Sequence, residues 1–329
     1  MKDRWERIKQ PAQLNSEQIQ ACVQTVYSGK RVLFTTQPET GLSNSNFKLH
    51  IEGMERPVLF RVYRDENKLI AEKEYAISRW VHHTVPIAKY LYLDTSCTVI
   101  DHPWAILEWK EGELLRDILQ KGTEYQMISA AASVGKTLAR IHQHTFAESG
   151  FLGPDLSITE PFPMDENSFL SFIEHSLFHN ESGRWLGEEL TNALWSCCKA
   201  RSSLLTSRED TPVLVHSDFN GLNLLIQQIE STDELEVSAV LDWEFAFAGR
   251  RHVDFGNILR YEEANSPFER SFITSYQAEG GILNEDWRHV ATLEDLIALC
   301  DMLNNSTKGT PNRVKDLKHL IARSIAGLA

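Results

Sequence analysis

Apolar and polar residues alternate in short runs through the first third of the chain, as expected for β-strands. The runs that predict strands are RVLFTTQ, NFKLHIE, PVLFRVYR, VPIAKYLYLD, CTVID and WAILEW. Asn15 and Gln18 form a capping pair that predicts a helix before the first strand. A second helix is predicted at LIAEKEYAISRWVHH, where apolar residues recur at helical spacing. The pattern therefore predicts a strand-rich amino-terminal region with one main internal helix.

The spacing of apolar residues changes to the helical period after the polar segment EWKEG, residues 108–112. Helices are predicted around residues 128–142, 169–176, 186–201, 268–278 and 293–303. Apolar runs in VLVHS, LLIQQ and SAVLDW predict short strands among these helices. We therefore expect an α+β protein with two domains, residues 1–108 and residues 109–329, which meet at EWKEG.

A dense group of polar residues lies between two of the predicted strands, in LVHSDFNGLNLLI. His216, Asp218 and Asn223 have the spacing H-x-D-x-x-x-x-N, which is that of the kinase catalytic loop. In that chemistry a carboxylate orients the hydroxyl that attacks phosphorus, and oxygen ligands hold the cation that neutralises the phosphate. The competing interpretation of Asp218 is a helix cap in a loop without catalytic function.

A second aspartate, Asp242, ends the next apolar run, VSAVLDWEF. Two neighbouring strands that present Asn223 and Asp242 at adjacent ends would offer oxygen ligands to one hard cation. The sequence therefore predicts a Mg²⁺ site formed by Asn223 and Asp242. His216 is expected to brace this loop through backbone hydrogen bonds, and Asp254 is expected to organise it.

These residues resemble the aminoglycoside phosphotransferase and choline kinase family, which has a protein-kinase-like fold. HSDFNGLN resembles the family's H-G-D-x-x-x-x-N loop, and LDWE stands where protein kinases have D-F-G. Other family segments are matched, in order, by ETGLSNSNFKLHI, VLFRVYR, EKEY, ILEWKEG, TLARIHQ and GRRHVDFGNIL. The resemblance extends from about Arg31 to Leu303. It implies a two-lobed protein-kinase-like fold with a β-rich amino-terminal lobe and a helical carboxy-terminal lobe.

The resemblance also assigns roles to single residues. Asp218 would be the catalytic base or the carboxylate that orients the substrate, and Asn223 and Asp242 would be the Mg²⁺ ligands. Arg61 would anchor the phosphates of the nucleotide, a role for which the guanidinium is suited because it binds phosphate bidentately. Glu74 would hold Arg61 in place.

Two of these assignments have alternatives. Lys48 on the second strand could replace Arg61, and Glu72 could replace Glu74. The remaining nucleotide contacts would come from the phosphate loop and the main chain of the hinge: Ser43, Asn44, Ser45, Glu108, Trp109 and Lys110.

By the same resemblance the co-substrate would be ATP, with GTP as the alternative, and the acceptor would be a small molecule with a hydroxyl group. Only eleven residues separate Asp242 from Asp254. This leaves no room for a long phosphorylatable activation segment, which favours a small-molecule kinase over a regulated protein kinase. In relatives the acceptor pocket is lined by the region that here contains Glu262, Glu263, Asp286, Glu294, Asp295 and Asp301.

Composition and net charge limit which binding partners and which cellular compartment are expected. A formal net charge of −13 argues against a nucleic-acid partner and is compatible with a cationic acceptor. No apolar run approaches the roughly 18 residues that span a bilayer, so we expect no membrane partner. The first ten residues lack the apolar segment of a secretory signal, and the five cysteines are scattered. A cytoplasmic location with reduced thiols is therefore expected.

Three functions stay open on the sequence alone. The first is an aminoglycoside-phosphotransferase-like enzyme, and the second is a kinase of a metabolite such as choline, ethanolamine, homoserine or a sugar. The third is a nucleotide-binding scaffold without transfer activity. The intact set of Asp218, Asn223 and Asp242 argues against the scaffold, because an inactive relative usually lacks at least one of them.

Overall fold

The computed structural model of the protein describes residues 5–6, 14–37, 44–63, 68–205 and 211–328. The amino-terminal lobe contains helices α1 (Ser16–Val26) and α2 (Lys68–Val81) and strands β1 (Val32–Thr36), β2 (Ser45–Ile51), β3 (Val58–Val62), β4 (Tyr90–Asp94) and β5 (Trp104–Glu108). The strands form one antiparallel sheet in the spatial order β1–β2–β3–β5–β4. One face of this sheet packs on α1. The other packs in part on α2 and carries Arg61, which reaches Asp242 of the carboxy-terminal lobe.

The carboxy-terminal lobe is mainly helical. Its helices are α3 (Leu115–Lys121), α4 (Glu124–His142), α5 (Glu166–Glu174), α6 (Ser182–Leu186), α7 (Glu188–Arg201), α8 (His252–Leu259), α9 (Pro267–Ala278), α10 (Trp287–Asn304) and α11 (Pro311–Leu328). A π-helical turn (His175–His179) follows α5, and a 3₁₀ turn (Ser202–Leu205) follows α7. The predicted α+β class, with a β-rich first lobe and a helical second lobe, is confirmed.

Short strands in the second lobe carry the polar loops of interest. They are β6 (Glu113–Leu114), β7 (Gly150–Leu152), β8 (Ile158–Pro161), β9 (Val213–Val215), β10 (Leu224–Gln228), β11 (Leu235–Val240) and β12 (Phe247–Gly249). They form two small sheets, in the orders β11–β10–β6 and β8–β7–β12–β9. Residues 216–223 therefore connect β9 of one sheet to β10 of the other.

Local sequence signals explain several element boundaries. Asn15 caps α1 by accepting the N–H of Gln18, whose side chain accepts the N–H of Asn15 in return. Ser266 caps α9 by accepting the N–H of Glu269, and Pro267 occupies the first turn, where its missing N–H costs nothing. The predicted helix over residues 186–201 is divided at Gly187, whose φ of 85° separates α6 from α7.

The predicted strand at CTVID is wrong. Oδ1 of Asp94 accepts hydrogen bonds from the backbone N–H and the hydroxyl of Ser96, at 2.7 and 2.6 Å, which turns the chain at the end of β4. Cys97 then has a positive φ of 55°, which no strand residue adopts. Ile100 is nevertheless buried, so the apolar pattern here reports burial and not strand pairing.

The two lobes are joined by more than the covalent link. β5 ends at Glu108, where the predicted boundary at residues 108 and 109 lies, and that boundary stays a prediction. The N–H of Val240, at the end of β11, donates to the carbonyl of Pro86 at 2.8 Å. Because Pro86 lies between α2 and β4, this contact sets the amino-terminal lobe against the strand that precedes Asp242. Within the described ranges, no helix is both long and apolar enough to cross a bilayer.

The core of the second lobe depends on the close approach of α4 and α9. Gly135 lies on the buried face of α4, and a Cβ atom at this position would lie 2.2 Å from the carbonyl oxygen of Phe272 on α9. Residues without a side chain allow two helix backbones to approach in this way. A Cβ at Gly327 of α11, by contrast, would meet no described atom within 4 Å.

We expect Gly135→Ala to lower the free energy of unfolding by about 1–3 kcal/mol, because α4 and α9 must separate to admit the methyl group. Urea denaturation would measure this effect. The matched control is Gly327→Ala, which should leave stability unchanged or raise it by up to about 1 kcal/mol through helix propensity. Equal stability of the two variants would contradict the proposed close packing.

Candidate active site

Arg61 on β3 directs its guanidinium at a buried carboxylate of α2. Nη1 lies 3.0 Å from Oε2 and 3.3 Å from Oε1 of Glu74. Nε donates to Oδ1 of Asn46 at 3.2 Å, because Asn46 is directly opposite Arg61 in the register of β2 and β3. Glu72, the alternative partner, instead accepts a hydrogen bond from the hydroxyl of Thr95. The structure therefore pairs Arg61 with Glu74, as expected for an anchored cation in the cleft.

Two buried tyrosines support this ion pair. The hydroxyl of Tyr90 donates to Oε2 of Glu74 at 3.2 Å and lies 2.7 Å from the hydroxyl of Tyr63. Burial raises the pKa of both phenols well above their ordinary value, so both remain neutral donors. Burial opposes the charge of Arg61, but the carboxylates of Glu74 and Asp242 outweigh it and hold the pKa of the guanidinium well above its ordinary value.

The carboxylate of Asp218 is fixed by two side-chain amides of its own loop. Nδ2 of Asn220 donates to Oδ1 at 2.8 Å, and Nδ2 of Asn223 donates to Oδ2 at 2.7 Å. The same two nitrogens also donate to the backbone carbonyl of Asp218. Both carboxylate oxygens therefore have a set orientation, which is the requirement for aiming a substrate hydroxyl.

His216 connects the two aspartates of the motif. Its ring is fully buried, and burial lowers its pKa, so the neutral imidazole dominates. Nε2 donates to the carbonyl of Leu241 at 2.9 Å, and Nδ1 accepts the backbone N–H of Asp218 at 3.2 Å. His216 thus braces the loop of Asp218 against the residue that precedes Asp242.

The buried carboxylate of Asp254 also binds the backbone of this loop. Oδ2 of Asp254 accepts the N–H of His216 at 2.9 Å, and Oδ1 accepts the N–H of Ser217 at 2.8 Å. Oδ2 also lies 3.2 Å from Nε2 of His142, whose Nδ1 lies 2.9 Å from the hydroxyl of Tyr276. The catalytic-loop backbone is therefore connected to α4 and α9, and Asp254 has the position of an organising group.

Asp242 is brought to the same end of the cleft. The N–H of Leu241 donates to the carbonyl of Asn223 at 2.8 Å, so the main chains that carry the two proposed metal ligands are in contact. Oδ1 of Asp242 is buried and has no hydrogen-bond donor among the described residues, and Nη1 of Arg61 is 3.8 Å away. Burial, reinforced by nearby carboxylates and opposed by Arg61, raises the pKa of Asp242 to about 8.

The residues predicted to contact the nucleotide are placed at two ends of the sheet. Ser43 lies outside the described residues. Asn44 has a buried Nδ2 without a hydrogen-bond partner in the described part of the chain, and Ser45 begins β2. These positions leave Asn44 as a candidate donor to phosphate oxygens.

At the hinge, the N–H of Glu108 is already used, because it donates to the carbonyl of Lys89 at 2.9 Å. A base could therefore contact only the carbonyl of Glu108 or the main chain of Trp109 and Lys110. Nζ of Lys48 lies 4.2 Å over the indole ring of Trp109 and so at the hinge, where it cannot replace Arg61.

Two of the six acidic residues considered for the acceptor are engaged in ion pairs. Glu294 pairs with Arg250 at 2.7 Å, and Asp295 forms a buried ion pair with Arg260. Glu262 accepts a hydrogen bond from the hydroxyl of Ser266 and lines a small cleft next to the loop of Asp218, together with Asn220, Asn257, Arg260 and Tyr261. Burial raises the pKa of Glu262 from its ordinary value. Of this acidic set, only Glu262 is among the residues that line this cleft.

The geometry agrees with comparisons to known proteins. A sequence model of the phosphotransferase enzyme family matches residues 35–293. The chain belongs to this family. The predicted resemblance to the aminoglycoside phosphotransferase and choline kinase family, and the prediction of a small-molecule phosphotransferase, are confirmed. Among curated proteins, none matches the chain.

Solved structures show the fold of this phosphotransferase. The GDP and kanamycin complex of APH(2")-IIia has a TM-score of 0.70 and 14% sequence identity, over 93% of this chain and 97% of that chain. The complex of aminoglycoside phosphotransferase APH(4)-Ia with ADP and hygromycin B has a TM-score of 0.67 and 14% identity, over 93% and 96%. Choline kinase LicA from Streptococcus pneumoniae has a TM-score of 0.60 and 13% identity, over 93% and 98%.

The phosphotransferase site also contains residues that the sequence did not indicate. Asn46 and Tyr90 contact the Arg61–Glu74 pair, and Lys73 of α2 donates to the backbone that follows Asp242. Asn46 and Lys73 lie in the matched segments ETGLSNSNFKLHI and EKEY, but the segments do not reveal these contacts, since the partners are distant in sequence. The only available signal was strand parity, which places Asn46 on the same face of β2 as Asn44.

Two of the five described non-glycine residues with a positive φ lie at the candidate site. Ser217, which stands where the family has glycine, has a φ of 68°, and Asp242 has a φ of 63°. This region costs a residue with a Cβ atom roughly 1–2 kcal/mol. Ser217 is held through its backbone, because its N–H donates to Asp254 and its carbonyl accepts Nδ2 of Asn257.

We expect Ser217→Gly to raise the free energy of unfolding by up to about 1 kcal/mol, since glycine removes the strain at some entropic cost. The loop geometry, and with it the phosphotransferase activity, should be retained. Ser217→Ala is the matched control, because alanine keeps the Cβ atom and should not be stabilised. Thermal denaturation of both variants tests this, and a destabilised glycine variant would contradict it.

Proposed function

We propose that this phosphotransferase transfers the γ-phosphate of ATP, or of GTP, to a hydroxyl group of a small molecule, with Mg²⁺ bound at Asn223 and Asp242. The observation that carries the proposal is the fixed carboxylate of Asp218 beside the buried, donor-free oxygen of Asp242. One group can orient a hydroxyl, and the other can bind a cation. Arg61 completes the cleft as a buried, permanently charged group next to Asp242.

The chemistry of the donors fits Mg²⁺. This ion prefers oxygen ligands and is held in kinases by one or two side chains together with substrate phosphates. Oδ1 of Asp242 has no competing hydrogen-bond donor, and Asn223 uses its amide nitrogen toward Asp218, which leaves its amide oxygen for a cation. When bound, Mg²⁺ would neutralise charge on the transferred phosphoryl group.

The residues of the chain would then act mainly by positioning. Asp218 would accept a hydrogen bond from the acceptor hydroxyl and receive its proton as the new bond to phosphorus forms. Asn220 and Asn223 would prevent rotation of that carboxylate. Arg61, held by Glu74, would contact phosphate oxygens, and Asn44 would donate to them from the start of β2.

The acceptor and the nucleotide are supported only as classes. The similar solved structures contain ADP or GDP together with hygromycin B or kanamycin, and another is a choline kinase. Arg260, which lines the cleft beside the loop of Asp218, is paired with Asp295, so the carboxyl of Glu262 at that cleft supports an acceptor with a cationic group. We therefore propose a cationic amino-alcohol or aminoglycoside as the acceptor, with a sugar or another metabolite as the alternative, in a cytoplasmic enzyme.

A panel assay tests the proposal directly. Release of ADP or GDP would be measured with aminoglycosides, choline, ethanolamine, homoserine and sugars as acceptors. We expect turnover with at least one acceptor, and a roughly 10²–10⁴-fold loss of kcat in Asp218→Asn with nucleotide affinity retained. Asp233→Asn, on the exposed turn before β11, is the control and should be fully active. Nucleotide binding without turnover on any acceptor would favour the scaffold function.

The raised pKa of Asp242 predicts a pH dependence of metal binding. At neutral pH this carboxyl is largely protonated, and Mg²⁺ must displace the proton. The gain in nucleotide affinity on adding Mg²⁺ should therefore increase with pH up to about 8 and become constant above it. Calorimetric titrations of a non-hydrolysable triphosphate from pH 6 to 9 would measure it. Asp242→Asn should lose both the gain and its dependence on pH; a normal gain in that variant would contradict the assignment.

A further inference from the structure

Lys73 connects the two lobes at a point that none of the roles above explains. It lies on α2 next to Glu74, and its Nζ leaves the amino-terminal lobe to donate two hydrogen bonds. The acceptors are the backbone carbonyls of Glu244, at 2.8 Å, and Ala246, at 3.1 Å. An ammonium group has three donors and no acceptor, so it is suited to capturing two carbonyls at once.

The two carbonyls belong to the turn that follows Asp242. The N–H of Ala246 donates to the carbonyl of Trp243 at 3.0 Å and closes this turn. Trp243 is buried, and its indole N–H donates to the carbonyl of Val240 on β11. We call residues 242–246 the Asp242 turn. Lys73 therefore binds the carboxy-terminal end of the Asp242 turn, while the contact of Trp243 with Val240 joins the other end to β11.

Together, these contacts form a ring of charged and polar groups. Arg61 pairs with Glu74 on α2, and the neighbouring Lys73 binds the Asp242 turn. Asp242 in turn lies 3.8 Å from Nη1 of Arg61. A shift of α2 away from the carboxy-terminal lobe would therefore displace Glu74 and, through Lys73, the backbone of the Asp242 turn at the same time.

We propose that Lys73 is a positioning residue that places the metal-binding carboxylate of Asp242 in register with the Arg61–Glu74 pair. Its charge acts through backbone carbonyls and not through the substrate. Only the ammonium reaches both carbonyls, so the effect depends on the charged group and not on the aliphatic stem. This role rests on the proposed function, because it concerns the site at which Mg²⁺ and the nucleotide would bind.

A role in positioning predicts a specific loss, which lobe packing alone would not produce. Lys73→Met keeps most of the stem and removes the donors. The gain in affinity for a non-hydrolysable triphosphate on adding Mg²⁺ should fall roughly 10–100-fold, as is typical when the groups that orient a metal ligand are removed. Affinity measured without Mg²⁺ should stay within about twofold. Lys73→Arg, which keeps the charge and the donors, should recover part of the gain.

Lys68→Met is the matched control, since Lys68 lies on the same helix with an exposed side chain. It should bind nucleotide as the unmodified protein does, with and without Mg²⁺. Lys73→Gln serves as a second variant in case the methionine destabilises the fold. Amide hydrogen exchange of the Asp242 turn in the nucleotide-free protein should be faster in Lys73→Met and in Lys73→Gln, and unchanged in Lys68→Met.

The outcomes separate this role from the proposed function. A folded Lys73→Met or Lys73→Gln protein with an undiminished gain from Mg²⁺ would overturn the positioning role and leave phosphotransfer intact. Equal loss of affinity with and without Mg²⁺ would overturn it as well, because that result indicates general damage to the cleft. If the unmodified protein gained no affinity from Mg²⁺, the proposed metal site itself would fail, and the role of Lys73 with it.

Discussion

The site depends on the guanidinium of Arg61, a single positive charge that lies close to two carboxylates and cannot neutralise both. Arg61 is almost completely buried and lies between Glu74, which is 2% exposed, and Asp242. Removing ions from water is costly and is offset only where the pairing is close and complete. The pair with Glu74 is close, whereas Asp242 is 3.8 Å away and has a raised pKa. The folded protein thus holds an unmet demand for positive charge beside Asp242, and a divalent cation would satisfy it.

This demand is useful only if the carboxylates stay where they are, and two separate supports hold them. From the second lobe, Asp254 binds the backbone of the catalytic loop and is itself connected through His142 to α9. Burial lowers the pKa of His142, so a neutral ring donates to Asp254 and accepts from Tyr276. From the first lobe, the two hydrogen bonds of Lys73 hold the Asp242 turn. The site is therefore rigid on one side and coupled to α2 on the other.

The parts of the structure that sequence could predict are those whose causes are local. The spacing of His216, Asp218 and Asn223 indicated a loop whose internal hydrogen bonds join residues within eight positions of one another, although Leu241 and Asp254 also bind it from outside. Helix α1 was predictable because its cap is a contact over three residues. The failure at Cys97 has the opposite cause: an apolar run was taken for a strand, while Asp94 redirected the chain through a side-chain turn.

The electrostatic tuning of the site was not predictable, because it depends on strand register and lobe placement. Asn44, directly before β2, and Asn46 and Lys48 within it follow the same alternation. From this alternation alone, each of the three could contact the phosphates. The pairing of Asn46 with Arg61 decides among them, since it leaves Asn44 at the loop end and moves Lys48 to the ring of Trp109 at the hinge. A shift of the register by two residues would keep every apolar side chain buried and still exchange these roles. The candidate catalytic loop, residues 216–223, is therefore encoded in contiguous residues, whereas the charges placed around it are set only when the sheet and the two lobes have formed.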